Sequence, residues 1–90
     1  MPWIPARSAD KMILGQALKL KEGKVLRIES FKGDRWIEIK KLNSNEFEIN
    51  EHGYNNTTYK VKEDEMKVIL RRAIDLEFPR SHQLRISLSS

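Results

Sequence analysis

The alternation of apolar and polar positions is clearest between Lys24 and Leu42, where two β-branched segments flank Gly33-Asp34. Alternation of this kind is typical of half-buried strands, and Gly-Asp suits a two-residue hairpin turn, which needs positive φ. The pattern therefore predicts a β-hairpin that turns at Gly33-Asp34. Its inward residues are Leu26, Ile28, Ile37 and Ile39, and its outward residues are Arg27, Glu29, Trp36, Glu38 and Lys40.

Three further segments alternate in the same way. Residues 46–50 and 57–62 predict a third and a fourth strand, joined by a polar loop over 51–56, and residues 82–88 predict a last strand at the sheet edge. The inward residues of these strands are Phe47, Ile49, Tyr59, Val61, Leu84, Ile86 and Leu88. The outward positions of the third strand are acidic and those of the fourth include lysines, which predicts cross-strand ion pairs.

A helix is predicted between the fourth strand and Pro79. Three acids at 63–65 favour the positive end of a helix dipole, and Arg71 and Arg72 lie towards the negative end. The apolar residues recur at helical spacing, at Met66, Ile69, Leu70, Ala73 and Ile74.

Residues 8–22 fit two patterns. Ile13, Ala17 and Leu20 recur at helical spacing between an N-cap at Ser8 and a stop at Gly23, yet the same segment also alternates like a strand. We favour the helix, because Gly23 stands where a helix-ending glycine belongs and lysines precede it.

Residues 1–7 are expected to form an arm, because Pro2 and Pro5 disfavour regular helix. Trp3 can fill the core, cover a sheet edge or contact a partner. Residues 8–90 then form a single α+β domain: an antiparallel sheet of four to five strands, one helix in the C-terminal half packed on one face, and a second helix near the N-terminus.

The composition narrows the class of protein. Seventeen Lys and Arg against thirteen acids give a net charge of +4, which suits a polyanionic partner without demanding one. The chain has no cysteine and no apolar run of membrane-spanning length, so we expect a soluble, cytoplasmic protein. Abundant Lys, Glu, Arg and Ile is typical of thermophiles.

No catalytic motif is present. His52 and His82 stand thirty positions apart, without a nucleophile motif, a phosphate-binding loop or metal-ligand spacing. We therefore expect no enzymatic activity, no cofactor and no metal.

The outward face of the predicted sheet combines basic and aromatic residues, as single-strand binders do. Four glutamates share this face and oppose a phosphate backbone. Trp36 is either covered by another element, such as the N-terminal arm, or exposed as a stacking platform. The candidate nucleic-acid-binding residues are Arg27, Trp36, Lys40, Tyr54, Lys60 and Lys62. Lys67, Arg71 and Arg72 offer a second basic surface, which Arg80 and Arg85 are expected to adjoin in the fold.

The run from Gly33 to Ile74 resembles the positive-cofactor type of transcriptional coactivator. The resemblance rests on a Trp that enters a strand, a Phe-x-Ile strand, a polar loop, and a strand that leads into an acidic helix start. It implies a curved sheet of four strands followed by a helix, with dimers that bind single-stranded DNA. The positions it implies for DNA contact are Trp36, Lys40, Tyr54, Lys60 and Lys62.

Two functions remain open from the sequence. The first is non-catalytic binding of single-stranded nucleic acid through the basic and aromatic sheet face. The second is a protein-interaction or structural module, either a homodimer or part of a larger complex, because a small sheet with a free edge can pair with another chain.

Overall fold

The computed structural model describes the backbone of residues 3–5, 9–30, 33–53, 56–77 and 83–89, and the side chains within 11–30, 33–53, 56–76 and 84–88. Strands and helices follow one another in the order β1, α1, β2, β3, β4, β5, α2 and β6. Their bounds are Trp3–Pro5 (β1), Ala9–Leu18 (α1), Val25–Glu29 (β2), Trp36–Lys41 (β3), Glu46–His52 (β4), Asn56–Lys62 (β5), Met66–Glu77 (α2) and Gln83–Ser89 (β6).

The strands form one six-stranded sheet in the order β1-β6-β2-β3-β4-β5, and every neighbouring pair is antiparallel. Both helices contact each other, and α2 contacts β3, β4 and β5. The core lies between the helices and one face of the sheet, with Phe47 and Met66 fully buried. The predicted α+β class, with helices in both halves of the chain, is confirmed.

The segment predicted as an arm contributes β1, a strand that the sequence pattern did not indicate. Its backbone pairs with β6, with Trp3 opposite Arg85. Two strands, β6 and β2, separate β1 from β3, so its backbone lies about 14 Å from that of β3 at ~4.8 Å per strand. The described part of the arm, β1, therefore does not lie over the backbone at Trp36. The role of the Trp3 side chain lies outside the described residues.

Residues 9–18 form a helix, which settles the choice between helix and strand. Ile13 and Ala17 are fully buried, as the helical spacing predicts. The predicted stop at Gly23 is wrong: the helix ends at Leu18, and the Leu20 N–H donates to the Ala17 carbonyl in a closing turn. Gly23 instead has φ +84 in the turn that leads into β2. The proposed N-cap, Ser8, lies outside the described residues.

The β2–β3 hairpin forms, but its turn differs from the prediction. Glu29 pairs with Trp36, and the Ser30 N–H donates to the Arg35 carbonyl, so four residues make the loop where two were expected. The Gly33 N–H donates to the Ser30 carbonyl, and Gly33 has φ +74. The resulting register differs by two residues from that of a two-residue turn. Because side chains alternate with a period of two, the predicted inward and outward faces are unchanged.

Strand β4 is longer than predicted. The strand continues through Glu51 and His52, which the polar composition of residues 51–56 had assigned to a loop. Glu51 consequently continues the inward series of Phe47 and Ile49, and only 5% of its surface is exposed.

The second helix begins as predicted, on three acids. Glu63–Glu65 forms a 3-10 turn ahead of α2, and the Lys62 N–H donates to Glu65 Oε1 at 3.4 Å. Met66, Leu70, Ala73 and Ile74 are buried and Ile69 packs partly against the core, which confirms the predicted apolar stripe.

The last strand is not at the sheet edge as predicted. β6 lies between β1 and β2, where Leu84 and Ile86 are buried. The prediction failed because β1, which covers the outer side of β6, is too short to show a pattern in the sequence. Among the described residues, no helix is both long and apolar enough to cross a membrane.

Two glycines should respond oppositely to alanine. Gly15 lies in α1 with open space around its Cα, so Gly15→Ala is expected to raise the free energy of unfolding by about 0.5–1 kcal/mol. Gly33→Ala is expected to lower it by about 1–2 kcal/mol, because positive φ disfavours a Cβ. The nearest atom to the new Cβ, Glu29 Oε2, is 3.8 Å away, so the loss comes from the backbone alone.

Urea denaturation of the two variants beside the wild type measures both effects. A stabilised Gly33→Ala variant would contradict the observed hairpin loop, and a clearly destabilised Gly15→Ala variant would contradict α1.

Candidate nucleic-acid interface

The sheet face opposite the helices is open to solvent and carries the candidate residues. Burial alternates along β2, β3 and β4, so the side chains between the buried positions point to this open face. Five of the six candidates lie on it: Arg27, Trp36, Lys40, Lys60 and Lys62. The sixth, Tyr54, lies outside the described residues.

An aromatic stack occupies one end of the open face. The rings of Trp36 and His52, which pair directly across β3 and β4, are 3.9 Å apart between centroids and inclined by only 16°. The Arg27 guanidinium lies over the indole, with Cζ 4.4 Å from its centroid. Since Arg27 and His52 come from strands on either side of β3, they cover the two faces of Trp36.

Trp36 is consequently half-buried by its own sheet neighbours, and the outer face of the exposed His52 ring extends the accessible aromatic surface. A cation over a tryptophan contributes about 0.5–2 kcal/mol, so the stack is a stable part of the fold. Both alternatives for Trp36 apply in part. Arg27 and His52 pack on the faces of its indole, and the His52 ring extends the ring surface that is open to stacking.

Arg27 is held by two carboxylates as well as by the indole. Its Nη1 donates to Glu38 Oε2 at 3.4 Å. Its Nε lies 3.3 Å from Glu29 Oε1 without hydrogen-bond geometry, so that pair is a charge contact only. With its charge balanced in this way, Arg27 serves to orient Trp36 more than to attract a phosphate.

Hydrogen bonds continue from this pair across the middle of the face. Asn50 Nδ2 donates to Glu38 Oε1 at 3.5 Å, and Thr58 Oγ1 donates to Asn50 Oδ1 at 3.3 Å. The side chains follow the strand register, in which Glu38 is opposite Asn50 and Asn50 is opposite Thr58. The centre of the open face is therefore a connected polar row with Arg27 at one end.

Three exposed lysines occupy the other end of the open face; we call Lys40, Lys60 and Lys62 the lysine corner. The register places Glu48 between Lys40 and Lys60, and Glu46 opposite Lys62. Both glutamates are half-buried while the lysines extend into solvent. The acids and bases alternate across the strands, but the predicted ion pairs between them do not form among the described side chains, where both ion pairs found belong to Arg27. The corner retains an excess of one positive charge.

The second basic surface divides between the two layers. Lys67, Arg71 and Arg72 are exposed on α2, whereas Arg85 is exposed on β6, where it pairs with Glu29 on the open-face side of the sheet. Arg80 and His82 lie outside the described residues. Within the described part of the chain, no cluster of three or more His, Asp or Glu side chains is arranged to hold a metal ion.

The stacking role of His52 and the inward position of Glu51 differ from the loop that the sequence predicts over residues 51–56. The signal was present, because Glu46 to His52 alternates without interruption and places Glu51 in phase with Phe47. The polar, turn-forming composition that follows concealed it.

Comparison with protein-family models, with curated proteins and with solved structures finds no match to this chain.

Proposed function

We propose that the protein binds single-stranded nucleic acid on the open face of its sheet and performs no chemistry on it. One observation carries this proposal. A sheet face left uncovered by the helices combines an exposed ring, His52 stacked on Trp36, with the three exposed lysines of the lysine corner. Stacking rings beside cations are the components that single-strand binders use.

The two components are suitably placed to act together. Trp36 and Lys40 lie on the same strand, four residues apart, which corresponds to about 14 Å at ~3.4 Å per residue. An unpaired base stacks on the outer ring of His52, and the adjoining phosphates reach the lysine corner. Arg27 and Trp36 hold the His52 ring in place from below.

The acidic residues set the strength of this binding. Glu46 and Glu48 offset part of the lysine charge, so the affinity is modest and depends on stacking as well as on charge. Bases in a duplex are already stacked on one another, and the face therefore prefers single strands. The resemblance to positive-cofactor coactivators supports the same choice of ligand, and a cysteine-free chain is compatible with a cytoplasmic location.

Salt dependence tests the proposal. Fluorescence anisotropy with a labelled oligothymidylate of about 12 nucleotides, within the ~4–16 nucleotide range of small binding domains, gives the affinity. Three phosphate contacts predict a slope of about −2 for log affinity against log salt, at roughly −0.7 per contact on a single strand.

A matched pair of triple variants locates the surface. Changing Lys40, Lys60 and Lys62 to Gln is expected to flatten the salt slope and weaken binding. The control changes Lys11, Lys19 and Lys67, which are exposed on the helix layer and its adjoining turn, and removes the same charge. Equal losses in both variants would indicate attraction by net charge alone, and no binding of the wild type at low salt would refute the proposal.

A protein-interaction module is the second candidate, and one observation favours it. β5 is an edge strand of seven residues that pairs only with β4 in the described sheet. The same strand also carries Lys60 and Lys62, and lysines on an edge strand oppose edge-to-edge pairing. A concentration-dependent dimer in analytical ultracentrifugation, disrupted by Thr58→Pro but not by the triple lysine variant, would favour this candidate over nucleic-acid binding.

A further inference from the structure

A groove of about 460 Å³ lies on the helix side of the molecule, between edge strand β5 and α2. This volume falls within the range of about 300–1,000 Å³ that is typical of small-molecule sites. Tyr59 and Val61 line it from the sheet, and Ile69 and Leu76 line it from the helix. The groove is thus mainly apolar, although Glu65 and Lys60 of the lysine corner also line it.

A buried carboxylate lines this groove. Glu51 is 5% exposed, and its Oε1 is inaccessible to solvent and has no hydrogen-bond partner. The strand register fixes the position, because Glu51 continues the inward series of β4 and pairs with Thr57 of β5. A desolvated carboxylate without a partner is costly, so the chain keeps at this position a group that a cation would satisfy.

A cationic side chain lines the same groove from the helix. Arg72 is exposed on α2, and it takes part in neither of the ion pairs found among the described side chains, both of which belong to Arg27. The groove therefore presents apolar walls with two acidic side chains, Glu51 and Glu65, and two basic ones, Lys60 and Arg72. Glu51 is the buried member of this set, and the exposed Glu65 already accepts from the Lys62 N–H.

We propose that this groove binds a small zwitterion, a molecule with an ammonium group and a carboxylate on an apolar body, as in an apolar amino acid. The ammonium group donates to the Glu51 carboxylate, and the ligand carboxylate accepts from the Arg72 guanidinium. The apolar body packs against Val61, Ile69 and Leu76. This assignment gives both Glu51 and Arg72 a partner of opposite charge, which a purely cationic or purely anionic ligand does not achieve.

Three related probes test the proposal on the unmodified protein. L-Phenylalanine carries both charges, phenethylamine lacks the carboxylate, and hydrocinnamate lacks the ammonium group. Amide chemical shifts of isotope-labelled protein are followed during each titration. L-Phenylalanine is expected to shift β5 and α2 resonances saturably, and each singly charged probe should bind about 10- to 150-fold more weakly, as loss of one charged hydrogen bond predicts.

Variants then assign each charge. Glu51→Gln should abolish the advantage of L-phenylalanine over hydrocinnamate, and Arg72→Gln should abolish its advantage over phenethylamine. Arg71→Gln is the control, because Arg71 is exposed one position along α2 and does not line the groove. Its affinities should match the wild type.

Three results would overturn the proposal. These are the absence of saturable shifts with all three probes, equal binding of L-phenylalanine and phenethylamine to the wild type, and an Arg72→Gln variant that keeps full selectivity. The probe series alone decides the matter if Glu51→Gln fails to fold. Lys60 belongs to the lysine corner and also lines the groove, but the probes and the variants at Glu51 and Arg72 leave Lys60 unchanged, so either proposal can fail without the other.

Discussion

Phe47→Ala is expected to lower the free energy of unfolding by about 3–5 kcal/mol, the range found when a buried phenylalanine is truncated. Phe47 is fully buried on the inward face of β4, among the core residues beneath the helices. A small domain has about 5–15 kcal/mol of stability in total, so the loss removes a large share of it. At ~4–8 °C per kcal/mol, the melting temperature should fall by more than about 12 °C.

Val68→Ala is the matched control for this prediction. Val68 is an apolar residue of α2 with 69% of its surface exposed, and its truncation should change stability by less than about 0.5 kcal/mol. Thermal and urea denaturation of both variants provide the measurement. A loss below about 1 kcal/mol for Phe47→Ala would show that β4 does not face the core as described.

Trp36→Ala is expected to weaken oligonucleotide binding by about 5- to 150-fold while the fold is retained. The estimate follows from ~1–3 kcal/mol per stacked base. The indole packs against the His52 ring at 3.9 Å and the Arg27 guanidinium at 4.4 Å, so its removal leaves the stacking ring of His52 unsupported. The salt slope should stay near the wild-type value, because the lysine corner is intact.

Trp3→Phe supplies both the control and the reporter background, since Trp3 and Trp36 are the two tryptophans of the chain. In that background, quenching on addition of oligonucleotide reports on Trp36 alone, and the affinity should match the wild type. His52→Ala should reproduce most of the loss seen for Trp36→Ala. Unchanged affinity of Trp36→Ala, with circular dichroism of a folded protein, would exclude stacking at this site.

The alternation of side chains carried most of the fold prediction. Inward Leu26, Ile28, Ile37 and Ile39 are all fully buried, even though the turn that joins their strands has a different length from the one predicted. A two-residue shift preserves the facing of every side chain, so this error did not spread into the core. The helix at 9–18 was likewise predictable, because Ile13 and Ala17 share one helical face.

The pairing of strands that are distant in the sequence could not be predicted. β1 has three residues, too few for a period, and the insertion of β6 between β1 and β2 depends on contacts between distant parts of the chain. The aromatic stack was half predictable: the sequence marked Trp36 as unusual on a charged face, but its partner depended on how far β4 continued. Prediction of the groove depended on the same C-terminal end of β4, because Glu51 faces inward only when the strand includes it.

The position of β6 also fixes the order in which the molecule can be completed. β2 to β5 form a meander of neighbouring strands, whereas Leu26 of β2 pairs with Leu88, and β1 pairs only with β6 within the described sheet. As the chain leaves the ribosome, the meander and both helices are available well before residues 83–89 emerge. Throughout that interval one edge of β2 is bare and β1 has no neighbour, so the nascent chain is most exposed to misassociation just before residues 83–89 emerge.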